Sequence, residues 1–555
     1  MSVTNKEGYN PVRSADIVRR IQDPDGFIHA SIDPRFGHPF GRDAMEMIED
    51  LIEVRPEMAE RSILALATLQ GTDDVVATQE KPGKMPHEQL LRYTHERNAD
   101  GAYKFIKDDE GNHVYARVLN SEQAQVLEDL ALKWGIADSP GEASKLDSLT
   151  VYFNSDTTQM FVDMVAKLCK VRGNKDFLGQ EITGKDGVKR TIRESVASAM
   201  EFIDSERNTR GYIEFHEPNP KSHRNNYWKD GFDSLLHADG TLPNYDAPIA
   251  SLVVQGLTAQ AYESASYLFE DDEEKAGKYK QTARDIRENV LGDFWVEDKE
   301  KEGKGFFAMA LDHGRDGNYR QMAFASDAGA VLRTGILDDL SEEERRKYLE
   351  PIAKRLFSDE FWARGAGIVS MSRDVPQADD YIAYQRRNTV WIKEQEDIAE
   401  GFERYGLTDL ANIIRTQMIN TMNMAQKPVE FAVVLDDGRV VYDYDSTGEN
   451  LDITNIQVIP SASIPQGLQG WSASAMLREK YRRTLRWRGK EEMSVVSGWR
   501  KKLITDVKSQ MGYVPASLNT IGDIRAQTPV SDIRLDKASG REMRGKVHEA
   551  MKSKV

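Results

Sequence analysis

Apolar positions along this chain recur three and four residues apart over most of its length, the spacing that gives a helix one buried face. "AMEMIEDLIEV" and "PEMAERSILALATLQG" carry this period on either side of Pro56. Proline suits the first turn of a helix, so the pair predicts a helical hairpin. The same period returns over 121–135, 157–171, 189–206, 248–269, 273–295, 341–356, 391–405, 408–424 and 471–486. Ser341 followed by Glu344 in "SEEERRKYLEPI" predicts a capping box. About a dozen helices result. Alternating, strand-like stretches are confined to "GNHVYARVL" and "EFAVVLDDGRVVYDYD", where Asp-Asp-Gly predicts a hairpin turn. Strands and helices do not alternate, which argues against a doubly wound sheet or a β/α barrel. No short repeat argues for a solenoid. The expectation is an all-α assembly with a minor β-hairpin and long loops at 26–43, 71–87, 207–247, 361–390 and 428–470, rich in Gly, Asp, Pro, aromatics and His.

Composition agrees with a packed body of enzyme size: 555 residues, 39% hydrophobic and 30% charged. Cys169 is the only cysteine, which excludes an intrachain disulfide and a cysteine metal cluster; it lies on a helical apolar stripe, where a buried inert thiol is expected. A net charge of −17 argues against nucleic acid and anionic membranes as partners. No stretch reaches the roughly 18 apolar residues of a membrane span, and the start has no apolar leader core, so a cytoplasmic location is expected. From Arg478 onward basic residues outnumber acidic ones by roughly two to one. That stretch reads as a solvated face or a subunit contact, and the sequence carries no signal for an oligomeric state. The expected division is a main domain over 1–490 and a basic C-terminal appendage over 491–555.

Several kinds of chemistry drop out. "HEQLLRYTHE" places its second histidine at 95, eight residues after His87, so one helical face cannot present both to zinc. A phosphate-binding glycine loop and a Gly-x-Ser-x-Gly elbow are both missing. What the loops do hold is carboxylates interleaved with Trp and Tyr, as in "YWKDGFDSLLHADG" over 227–240. Sugars present hydroxyl rims to Asp, Glu, Arg and His, and C–H faces to aromatic rings. Hydrolysing a glycosidic bond needs a protonated carboxyl to donate to the leaving oxygen and an ionised one to activate water or attack. Plain solvated surface is the alternative for any one such loop.

"GRDAMEMIEDLIEVRPEMAERSILALATLQ", "YWKDGFDSLLHADG", "PIASLVVQG", "YRQMAFASDAGAVLRTGI", "GAGIVSMS", "NTVWIKEQEDIAEGFERYG" and "PQGLQGWSASA" follow one another in the order seen in the amylo-α-1,6-glucosidase domain of glycogen debranching enzymes. The chain resembles that family over roughly 36–480. The resemblance implies an (α/α)6 toroid of six inner and six outer helices, an inverting mechanism, no cofactor or metal, and an oligosaccharide or small glycoside as substrate. It implies Asp230 as general acid and Glu430, in "KPVEFAVV", as general base, with Glu449 as the alternative base. At the sugar it implies Arg42, Asp43, Asp156, Trp228, Lys229, His237, Asp239, Trp391, Glu394 and Trp471.

Each has a plainer reading. Asp43 and Asp156 suit helix starts, "HADG" suits a turn, and Trp391 and Trp471 suit a core. The chain departs from the family pattern at Val253, where a Glu is usual, and at Lys393, an added cation that could meet an acidic aglycone. It also has a longer interval between Glu430 and Trp471 and none of the family's large transferase region. The expected activity is release of glucose from an α-linked, α-1,6 glucosyl group of glycogen-derived oligosaccharides. The alternatives are a related hydrolase of a small glycoside, such as a compatible-solute glucoside or sucrose, and a glycan-binding toroid without turnover.

Overall fold

The computed structural model describes residues 11–511, apart from 33–35, 97, 99–102, 108–112, 217–223, 232, 298–304, 315–316, 377–383, 426, 436–437, 439, 442–467 and 488–497. Helix follows helix, as the apolar period predicts. In chain order they are α1 Pro11–Ile21, α2 Gly41–Leu51, α3 Pro56–Thr68, α4 Ser121–Lys133, α5 Pro140–Ala143, α6 Thr157–Arg172, α7 Ile192–Glu206, α8 Leu252–Leu268, α9 Glu273–Asp293, α10 Asp327–Ala330, α11 Glu342–Leu356, α12 Ile392–Arg404, α13 Thr408–Ala425, α14 Gly470–Trp487 and α15 Gly498–Gln510. The capping box predicted at Ser341 and Glu344 forms, and Pro56 opens α3. Strands are two to four residues long, and the predicted hairpin pairs Phe431–Val434 with Val440–Val441.

Packing order explains the architecture. α2, α6, α8, α10, α12 and α14 are neighbours in that sequence, and α14 returns to pack on α2, so they close an inner ring. α1, α3, α7, α9, α11 and α13 each pack on an inner helix from outside. This is the (α/α)6 toroid. The apolar core lies between the two rings, with Phe161, Tyr262, Ile352, Phe402 and Leu410 wholly buried. Close approach within the ring needs small residues: a Cβ on Gly401 would sit 2.6 Å from Leu332 and 2.9 Å from the Gly329 carbonyl.

The axis of the inner ring is charged. Arg333, after α10, binds Glu49 at 2.5 Å, Asp397 at 3.2 Å and Glu46 at 3.3 Å, and Lys393 binds Asp397 at 2.5 Å and also Glu46. Lower down, Arg478 of α14 binds Asp50 at 3.1 Å and also Glu400. The partners stand at matching depths in α2, α12 and α14, so these inner helices run parallel and begin at one end, the mouth.

Four of the described helices lie outside the sequence-based expectation: α1, α15 and the four-residue α5 and α10. α1 completes the outer ring against α14. α15 falls where no sustained period was read: it buries only Leu503, Ile504 and Val507 and is pinned by Lys508–Asp409 at 2.6 Å and Arg500–Glu342 at 2.6 Å. One buried turn is too short to register as a pattern.

Candidate active site

The stretch around Asp230 has no helix or strand of its own, so its shape is set by what grips it. Successive side chains diverge. Trp228 joins an aromatic group, Lys229 turns inward to full burial, and the Asp230 side chain stays 26% exposed. Lys229 Nζ reaches Asp327, Ser326 Oγ at 3.1 Å and the Ser370 carbonyl at 2.8 Å, with Glu394 at 3.5 Å. A buried ammonium is tolerable only when paired in this way. Across the loop, Gln385 Nε2 donates to the Trp228 carbonyl at 2.7 Å, while its Oε1 accepts from Gly231 N at 3.0 Å and Ser234 Oγ at 2.7 Å. Asn225 Nδ2 donates to the Gly231 carbonyl at 2.7 Å.

Arg42, in the first turn of α2, lies alongside. Its Nε donates to Asp156 at 2.7 Å and its Nη1 stands 3.8 Å from Asp230. Asp156 occupies the N-cap position of α6, yet its side chain makes no capping bond and turns to Arg42 instead. Asp43 is buried beside them. Burial pushes its carboxyl up to about 7, with the charges of Asp230 and Glu46 adding to the shift and Arg42 opposing it.

Glu430 reaches the mouth by strand pairing. Thr389–Trp391, just before α12, pairs antiparallel with Phe431–Val434 so that Trp391 faces Phe431. Glu430, 2% exposed, therefore sits next to the start of α12, and Tyr384 Oη donates to its Oε1 at 2.8 Å. Trp391 is the hub of the aromatic wall, with ring centroids at 4.8 Å from Tyr384, 4.8 Å from Phe431, 5.8 Å from Trp228 and 6.1 Å from Trp471. Burial holds the Tyr384 phenol well above its usual value, and the charges of Glu430, Asp230 and Asp43 add to this. One phenol thus feels all three carboxylates.

The structure brings Arg42, Asp43, Asp156, Trp228, Asp230, Trp391, Glu430 and Trp471 to the mouth. Lys229 and Glu394 meet each other behind it, both fully buried, with Ser326 Oγ also donating to Glu394. His237 binds Asp312 at 3.1 Å. Exposed Asp239 accepts from Thr241 N at 3.0 Å and Thr241 Oγ1 at 2.6 Å, and Gly240 takes the left-handed φ of 81° that this turn requires. Here "HADG" acts as a turn. Glu449 lies outside the described residues. Lys393 is committed to Glu46 and Asp397, so the cation imagined for an acidic aglycone is already paired. Tyr384 and Gln385 went unread in the sequence, because "AYQRRN" has neither a period nor a motif.

One group of three described residues could hold a metal ion: Asp23, Asp25 and His95, on the loop after α1 and the strand Tyr93–His95. Arg117 already binds Asp25 there at 2.8 Å. A cleft of about 670 Å³ on the outer ring, lined by Lys175, Arg193, Glu270 and Asp271 among others, has its charges paired as Arg193–Asp271 and Lys175–Glu270, each at 2.8 Å.

No family model matches the sequence, and no curated protein matches it. Solved structures do share the fold. A GH63 mannosylglycerate hydrolase from Thermus thermophilus superposes at a TM-score of 0.50 in complex with Tris and 0.51 in complex with glucose, at 14% and 13% identity. In both cases 85% of this chain and 99% of that one are covered. An uncharacterized conserved protein of the same organism matches at 0.50 with 13% identity over the same shares. At this identity the likeness is one of fold. The resemblance read from the sequence and these structures therefore agree on the (α/α)6 toroid, and the debranching family in particular is a finer reading.

Proposed function

We propose that the chain is an inverting glycoside hydrolase that releases a terminal α-linked sugar, with Asp230 as general acid and Glu430 as general base. The observation that carries this is the pairing at the mouth of one partly exposed carboxylate, Asp230, with one buried carboxylate, Glu430, held by a tyrosine that senses both. Trp228 and Trp471, both partly exposed, line the space as faces for a sugar ring, and Trp391, 1% exposed, backs them from the core. Arg42 Nη2 and Trp471 Nε1 are buried donors without a partner among the described residues, which suits hydroxyl groups. Asp230 protonates the glycosidic oxygen as the bond breaks. Glu430 takes a proton from a water that attacks the anomeric carbon from the opposite face, so the product has inverted configuration. That geometry requires the two carboxyl groups about 6.5–9.5 Å apart.

Two substrates fit. The ordered motifs support an α-1,6-linked glucosyl group of a glycogen-derived oligosaccharide. The likeness in fold to a mannosylglycerate hydrolase over 85% of this chain supports a small glycoside, to which the paired Lys393 offers no charge. Sugar release from limit dextrin, isomaltose, sucrose, glucosylglycerate and mannosylglycerate, compared between wild type and Asp230→Asn, tests the proposal. Release by wild type with a loss of about 10²–10⁴-fold in a folded variant is expected, and the best substrate names the activity. Binding without release across the panel would replace the hydrolase with a glycan-binding toroid.

A further inference from the structure

Tyr384 and Gln385 are adjacent in the chain, yet they hold different halves of the proposed machinery. Tyr384 Oη donates to Glu430 at 2.8 Å. The tyrosine is fixed in turn: Trp391 Nε1 donates to its carbonyl at 3.1 Å, and its ring stands edge-on to Trp391 and to Phe431, at 85° and 83°. Gln385, wholly buried, closes the Asp230 loop from both sides by binding the Trp228 carbonyl and Gly231 N. Arg386 continues the grip, its Nε donating to the Asp233 carbonyl at 2.9 Å. The chain then runs through the strand Thr389–Trp391 into α12 of the inner ring, which begins six residues after Arg386.

We infer that the Tyr384–Gln385 dipeptide is the spacer that sets the separation of the general acid and the general base. This inference rests on the hydrolase reading. Consecutive Cα atoms stand about 3.8 Å apart across a trans peptide. Two side chains leaving such a pair, one to each carboxyl-bearing segment, fix a span that loops alone would leave loose. An inverting site needs this, because water must fit between the carboxyl groups and a misplacement of about 1 Å costs about 10²-fold in rate. Both are positioning residues: Gln385 acts through the backbone on either side of Asp230, and Tyr384 through its bond to Glu430.

The two halves are separable with paired substrates. α-D-Glucosyl fluoride loses fluoride without needing a proton donor, whereas isomaltose needs one; both need the base. Gln385→Ala is expected to lower kcat on isomaltose by about 10²-fold or more while lowering kcat on the fluoride less than about 10-fold, with KM little changed. Tyr384→Phe, which keeps the ring and removes the hydroxyl, is expected to slow both substrates alike. Crystal structures of wild type and Gln385→Ala give a readout independent of turnover, with an expected change of about 1 Å or more in the Asp230–Glu430 separation. An unchanged separation, or a folded Gln385→Ala that slows both substrates equally, overturns the spacer. If wild type hydrolyses neither substrate, the hydrolase reading loses its support on glucosides and the crystallographic separation alone decides the spacer.

Discussion

Arg42 is the residue on which the most charge at the mouth depends. It binds Asp156 directly, stands 3.8 Å from Asp230 and opposes the proton affinity of Asp43. Lysine keeps the charge and loses the planar fork that serves two carboxylates at once. Arg42→Lys is therefore expected to lower kcat/KM by about 10²-fold, with a stability loss smaller than the roughly 3–5 kcal/mol that follows outright removal of one partner of a buried pair. Steady-state kinetics and urea unfolding measure the two effects, and unchanged kinetics would remove Arg42 from the sugar site. Both Arg42 and Asp156 were legible in the sequence, but only their contact decides between helix cap and site residue at 156.

At the scale of elements, the loop bearing Asp230 is tied to the starts of α10 and α12 by Lys229. This ammonium faces two buried carboxylates, Asp327 and Glu394, and burial, with the charge of Asp327 adding, raises Glu394 to about 7 against the pull of Lys229. The two ends of the knot are therefore unequal. Lys229→Met leaves two acids without a cation and is expected to cost about 3–5 kcal/mol. Glu394→Gln leaves the pair with Asp327 intact and is expected to cost markedly less, about 1 kcal/mol, the usual scale of one hydrogen bond. Urea unfolding of the two variants gives the comparison, and equal losses would show that Glu394 is the true partner. The sequence showed Trp228, Lys229 and Asp230 as one motif. It could not show that the middle residue points away from the other two, since that depends on which neighbour each side chain meets.

On the scale of the whole molecule, buried acids inside the ring link stability to pH. Asp43 and Asp50 are each pushed to about 7, mainly by burial. In the unfolded chain they ionise near 3.8, so the native state holds protons that unfolding releases. Their stabilising effect is complete below about pH 4 and is lost as pH rises toward 7, by at most about 1.4 kcal/mol per unit for each group. Glu400 acts in another window: burial would raise it, but Arg478 and its neighbours hold it at about 2, so its contribution fades only as pH falls below about 4.5. His95, lowered by burial, opposes the main trend weakly below its usual value of 6.5. The thermal midpoint is expected to be highest near about pH 4–4.5, to fall as pH rises to about 7 and to level off above that, with a shallower fall in Asp43→Asn. Calorimetry across that range checks it, and a flat profile would mean that Asp43 and Asp50 stay ionised in the fold.

The amino-acid sequence alone determined the long helices between α2 and α14, because a 3.6-residue apolar period and local caps need only near neighbours. It determined the all-α class for the same reason, and the ordered motifs pointed to the toroid and to Asp230. The tertiary structure decided what depends on distant contacts. Strand pairing across Trp391 and Phe431 carries Glu430 to the mouth, the return of α14 onto α2 closes the ring, and "AYQRRN" becomes meaningful only once its tyrosine and glutamine meet partners 46 and 157 residues away. Lys229, Glu394 and Lys393 show the same limit, since a charged side chain reads alike in sequence whether it faces substrate or a buried counter-charge, and only packing separates the two.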